Sequence, residues 1–184
     1  CESCRFPEQL KDSLIANSDY QDSFELDIIA QTGWTTTNLI SAIEYNSPSS
    51  DYDLVTLLIG VNNQYQGQPF SIYETEFIDL VEIASALAGQ DSSKIIVISI
   101  PDYSYTPYAQ NFAGGFISNQ LDSYNNYAEN YCNDNDISYV YITDITREGL
   151  ENPDLVANDG LHPSSLAYTK FVERILPIAI QKLN

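Results

Sequence analysis

Apolar residues follow two patterns along the chain. In some stretches they recur every three or four positions, as on one face of a helix; in others they run continuously for the length of a strand. Pro7 with Leu10, Leu14 and Ile15 predicts a first helix that starts near its proline and ends around Asn17 and Ser18. FELDIIAQ (Phe24–Gln31) predicts a short strand. TTTNLISAIEY (Thr35–Tyr45) predicts an amphipathic helix with a threonine cap, ending before the turn residues Asn46, Ser47 and Pro48. Asp53–Ile59 (DLVTLLI) is a continuous apolar run, the pattern of a strand buried on both faces. A long helix over Ser71–Ala88, stopped by Gly89, leads to a second such run, Lys94–Ile100 (KIIVISI). A tyrosine-containing loop then reaches Gly115, followed by a helix over Phe116–Asn133 and a strand over Ser138–Ile142. The last helix is expected over Pro163–Leu183, with a kink at Pro177.

Helices alternating with buried strands, with no hairpin signal between them, imply an α/β fold: a parallel sheet covered by helices on both faces. A chain of 184 residues, 43% hydrophobic and 18% charged, fits one globular domain over 1–184. The longest apolar runs, Leu54–Val61 and Ile95–Ile100, are far shorter than the roughly 20 residues of a membrane span.

Charge narrows the partners. The formal net charge is −19, from 26 acidic and 7 basic side chains, so the chain repels phosphate backbones and anionic membrane surfaces, and nucleic acid is not an expected partner. Such acidity suits brine, an extracellular or a periplasmic setting, but identifies no substrate. The three cysteines, Cys1, Cys4 and Cys132, allow at most one internal bridge. Cys132 paired with Cys1 or Cys4 and free thiols are the alternatives, and no second CxxC completes a zinc site. Methionine is absent even at position 1, so this N-terminus is not expected to be the translational start, and the lack of a leader says nothing about export.

Ligands of open parallel sheets bind outside the carboxyl ends of the strands. Three segments there carry candidate chemistry: QTGW around Gly33, GVNN around Asn62, and DGLH with Asp159 and His162. A glycine N–H and an asparagine amide can together form an oxyanion hole. Taken singly, Gly33 reads as a helix-entry turn and Asn62 as a turn asparagine. His162, the only histidine, suits a general base whose other ring nitrogen is held by Asp159 one turn away; the alternative is a helix-start segment with an aspartate cap. One histidine among scattered carboxylates supports no metal site, and no Walker or dinucleotide-binding glycine pattern follows a strand.

In this order the segments resemble the SGNH (GDSL-type) hydrolases over nearly the whole chain. Gly33 in QTGWTT looks like the glycine of that family's second block, Asn62 in LLIGVNNQYQG like the asparagine of its third, and Asp159 with His162 like its DxxH pair. The resemblance implies a flavodoxin-like three-layer α/β/α sandwich and a cofactor-independent serine esterase acting on small esters or acylated carbohydrate. It makes His162 the base, Asp159 its orienter, and Gly33 with Asn62 the oxyanion donors. Trp34 beside Gly33, with Tyr65 and Tyr103 in the following loops, are the candidates for the substrate pocket.

One block does not map. No Gly-Asp-Ser occurs in the chain, and Cys1, Ser3 and Cys4, the only nucleophile types before Pro7, lack the motif and a preceding strand. The family's first strand and its serine are therefore expected upstream of Cys1, between the strands at Phe24–Gln31 and Asp53–Ile59. The competing reading is a serine-less relative that binds carbohydrate through its exposed aromatics without hydrolysing it.

Overall fold

The computed structural model describes residues 4–17, 24–111 and 114–184. At its centre three parallel strands lie in the order β1 (Val55–Leu57), β2 (Ile95–Ile98), β3 (Ser138–Val140). Val55 pairs with Ile95, and Ile96 pairs with Ser138. Every β2 side chain is buried, as its unbroken IIVI sequence requires of a strand covered on both faces.

Period-2 alternation sends those side chains into two separate cores. Ile95 and Val97 join Leu39, Phe77, Leu80 and Leu121, whereas Ile96 and Ile98 join Leu10, Phe171, Val172 and Ile175. The first core is covered by α2 (Thr36–Asn46), α4 (Phe70–Leu87) and α5 (Gly114–Asp134); a five-residue α3 (Val61–Tyr65) lies between β1 and α4. The second is covered by α1 (Phe6–Asn17) and, beyond a short α6 (Thr143–Arg147), by α7 (Ser165–Leu183). The result is a three-layer α/β/α sandwich. Pro177 lies inside α7, which continues past it to Leu183.

Two expectations about strands are corrected. Phe24–Gln31 forms no ladder among the described residues. Its chain still threads between the layers as a strand would, since Phe24 packs on the α1/α7 core and Ile29 on the α2/α4 core, and the Tyr52 hydroxyl donates to Asp27 Oδ2 at 2.6 Å. Ile28, however, is 40% exposed. The run Asp53–Ile59 shortens to β1, whose Val55 and Thr56 are only half-buried. Both departures have one cause: among the described residues nothing pairs with the β1 edge that faces away from β2.

The N-terminal cysteine is also settled in part. Cys132 is a free, fully buried thiol, so the bridges from it to Cys1 or Cys4 do not form. Cys4 is disulfide-bonded and thereby removed as a nucleophile, while Cys1 and Ser3 lie outside the described residues.

Candidate active site

The first half of the site is a turn pinned to a short helix. Gly33 has φ 85°, and the space where a Cβ would stand is open, so the backbone angle alone favours glycine there. Thr35 follows as the N-cap of α2 in a reciprocal capping box with Asn38. Gly60, before α3, is required twice over: its φ is 124°, and a Cβ would stand 2.5 Å from the Tyr73 ring.

Side chains from α3 and its C-terminal flank clamp the Gly33 turn. Asn62 Nδ2 donates to the Trp34 carbonyl at 3.0 Å, using one of its two N–H groups, and Gln66 Nε2 donates to the Gly33 carbonyl at 2.8 Å. Asn63, fully buried, accepts the Thr36 N–H at 3.0 Å and donates to Thr36 Oγ1 at 2.6 Å and Gln68 Oε1 at 3.0 Å. Thr36 Oγ1 donates in turn to Glu76, which also accepts from Thr37 Oγ1 at 2.7 Å. The Gly33–Trp34 turn and α3 are thus held together by a network whose inner members, Thr36 and Asn63, are fully buried.

The second half is the loop that enters α7. An isolated antiparallel bridge between Val156 and Pro163 and the Ala157 N–H to His162 carbonyl bond of 2.8 Å close it into a tight hairpin-like turn. Gly160, at φ 74°, supplies the left-handed residue. Asp159 Oδ1 accepts the N–H groups of Leu161 at 2.9 Å and His162 at 3.0 Å, and its Oδ2 lies 2.7 Å from His162 Nδ1. The His162 N–H foremost, then the Leu161 N–H and the imidazole, hold the Asp159 carboxyl down to about 2. An ionised carboxylate only accepts, so Nδ1 carries a proton, which in the neutral imidazole leaves the lone pair on Nε2, the tautomer a general base needs. Ser164 then caps α7 by accepting the Ala167 N–H at 3.2 Å.

Tyr108 joins the two halves. Its hydroxyl lies 2.6 Å from that of Tyr65 on α3, and its N–H donates to the Gly160 carbonyl at 3.0 Å. Tyr65 and Tyr103 meet edge to face at 5.6 Å between ring centroids, and the Tyr103 hydroxyl donates to Gln64 Oε1 at 2.9 Å. These tyrosines share a groove of about 370 Å³ with Gln64, Phe116, Ile117 and Gln120. Trp34 does not line it; half-buried, it packs on the α2/α4 core and offers its carbonyl to Asn62. The clamp residues Asn63, Gln66 and Glu76 were not singled out by sequence, because their roles exist only once α3 and α4 meet the Gly33 turn. Among the described residues no group of three or more His, Cys, Asp or Glu is placed to hold a metal.

Residues 3–170 match the model of the GDSL-like lipase/acylhydrolase family. The chain belongs to that family. Among curated proteins none matches it significantly by sequence. Among solved structures it is similar to a member of the lipolytic G-D-S-L family from Veillonella parvula, at 15% identity and TM-score 0.69 over 98% of this chain and 90% of the other. It is also similar to the psychrotrophic esterase EstA from Pseudoalteromonas sp., at 18% identity and TM-score 0.62 over 98% and 88% of the two chains. An acetyl xylan esterase from Geobacillus stearothermophilus is a third, at 15% identity and TM-score 0.58 over 95% and 81%. At such identities the likeness concerns the fold.

Proposed function

We propose that the protein hydrolyses carboxylic esters, of short acyl chains or of O-acetylated carbohydrate, with His162 as general base. Asp159 fixes the imidazole tautomer and stabilises the imidazolium formed when His162 takes the nucleophile's proton. The Gly33 N–H and the second N–H of the Asn62 amide stabilise the oxyanion of the tetrahedral intermediate. His162 then returns its proton to the leaving alcohol, and water repeats the cycle on the acyl-enzyme. The observation that carries this reading is the 2.7 Å Asp159–His162 pair, held by two backbone N–H groups in the loop that enters α7.

The nucleophile in this reading is a serine on a segment preceding Cys1, in a single domain that includes the 184 residues. Two features support that position. Among the described residues one edge of β1 pairs with nothing and residues 24–31 join no ladder, so a strand on that segment would find an unpaired edge to join. Gln9 Nε2 bonds both the Cys4 carbonyl at 2.8 Å and the Ser165 carbonyl at 3.1 Å, so the chain entering α1 comes from beside the start of α7, next to His162.

The test is hydrolysis of p-nitrophenyl acetate and butyrate by the full gene product. His162→Ala is expected to lower kcat/KM by about 100-fold or more. Full activity in that variant would refute the mechanism. An upstream coding sequence without Gly-Asp-Ser, together with no turnover by the intact protein, would favour the binding-only relative.

A further inference from the structure

On the other side of the Tyr103–Tyr105 turn from the Tyr65 groove lies a second depression of about 530 Å³, bordered by Tyr105, Ser118, Asn119, Asp122, Arg147 and Leu150. We infer that it holds neutral saccharide units of the substrate, as a subsite separate from the acyl-transfer centre; this rests on the esterase reading above.

The polar groups of this depression are fixed before any ligand arrives. Asp102, with no exposed surface, accepts from Arg147 Nε at 2.9 Å, Ser118 Oγ at 2.6 Å, Ser104 Oγ at 2.6 Å and the Ser104 N–H at 3.0 Å. Arg147 Nη2 donates to Asp122 Oδ1 at 2.6 Å. Two of the five guanidinium N–H donors are thereby committed, and the head group is immobilised on the wall of the groove. Asp122, engaged through one of its two oxygens, adds an acceptor beside those donors. A rigid carboxylate next to a rigid guanidinium, with the Asn119 amide one turn of α5 away, matches the paired donor and acceptor character of adjacent sugar hydroxyls.

The rim supplies an apolar face. Tyr105 and Leu150 are 37% and 42% exposed. The Tyr105 backbone packs against Gly149, where a Cβ would lie 2.7 Å from the Tyr105 carbonyl oxygen. An amphipathic ring at the edge of a polar cleft suits the C–H face of a pyranose. Charge decides which saccharide: Arg147 against Asp102 and Asp122 leaves the cluster with a net negative charge on a chain of net charge −19, which disfavours uronates, sulfated sugars and phosphates.

The position fits one substrate crossing both grooves. Tyr105 and Tyr108 are three residues apart, a span of at most about 11 Å, and Tyr108 hydrogen-bonds Gly160, two residues before His162. In this proposal a short oligosaccharide seated over Tyr105 extends toward the loop that carries His162.

The full gene product carrying His162→Ala is titrated with xylotetraose and with tetragalacturonate by calorimetry. Xylotetraose is expected to bind at least about tenfold more tightly than the uronate, and Asp122→Ala and Tyr105→Ala each to weaken it about tenfold. In the His162 protein, those two substitutions should lower the ratio of kcat/KM for acetylated xylotetraose over p-nitrophenyl acetate by a similar factor. Asn119→Ala, on an exposed helix position, provides a third variant whose folding is not in question. Equal affinity for the two saccharides, no binding, or binding indifferent to all three substitutions overturns the inference. Failure of the esterase reading shows separately, as absent p-nitrophenyl acetate turnover, and leaves the calorimetry interpretable.

Discussion

Asn62 and Asn63 stand side by side in GVNN, yet the fold gives them different tasks. Successive residues of a helix do not share a face, so within α3 one amide stays half-buried at the surface and the other is fully enclosed. In the proposed mechanism Asn62→Ala removes one oxyanion donor, which is expected to reduce kcat by roughly 100- to 1000-fold with little change in urea midpoint. Asn63→Leu is expected to do the reverse in kind: it strands the buried Thr36 N–H and should destabilise the protein by about 1–3 kcal/mol. Kinetics on p-nitrophenyl acetate and urea unfolding of both variants check the pair; equal loss of stability in the two would contradict this division. At this scale the pairing of Asp159 with His162 was legible because the two sit three residues apart in one turn. The separation of Asn62 from Asn63 was not legible, since it depends on which amide faces the Gly33 turn and which faces Thr36.

Elements were legible in proportion to how far their own sequence closes their hydrogen bonds. Long helices such as α4 and α7 satisfy their backbone internally, and their apolar stripes marked them to within a residue or two. The short α3 and α6, five residues each, carry too few turns to show a period, and the apolar pattern predicts no element at either. Phe24–Gln31 has strand composition, but a strand is a property of a pair, and no partner for it is found among the described residues. Hydrogen exchange separates these cases. In the 184-residue chain the amides of Ile96 and Ile98 should exchange only through global opening, while those of residues 25–30 should exchange orders of magnitude faster. In a chain that also carries the proposed preceding strand, protection should spread into residues 25–30 and onto the open edge of β1. Equal protection of β2 and residues 25–30 in the 184-residue chain would show that no strand is needed between them.

For the whole molecule, charge and burial set the conditions of stability. Seven basic side chains can offset only part of 26 acidic ones, even with Arg174 bonded to Asp144 at 2.6 Å and Arg147 to Asp102 and Asp122. The folded state therefore repels itself, and added sodium chloride at neutral pH should raise the thermal midpoint by screening; a midpoint unchanged by salt would argue against net repulsion as a destabilising force. Alkali acts through buried acids instead. Burial, with Glu129 adding to it, pushes the Cys132 thiol up to about 12, and burial also raises the hydroxyls of Tyr73 and Tyr139. Unfolded, a thiol loses its proton near pH 8.5 and a tyrosine near about 10. Between those values and the raised ones the folded chain holds more protons than the unfolded chain, so stability must fall as pH rises, by up to about 1.4 kcal/mol per pH unit for each such group. The contribution is complete below about pH 8.5 and declines toward 12. Urea midpoints should accordingly stay level from pH 7 to about 8.5 and then decrease, steepening near 10 as the tyrosines join. Cys132→Ala should delay the onset of that fall to the tyrosine range, because the remaining raised groups are phenols; an unaltered onset in that variant would assign the first alkaline step to a group other than the buried thiol.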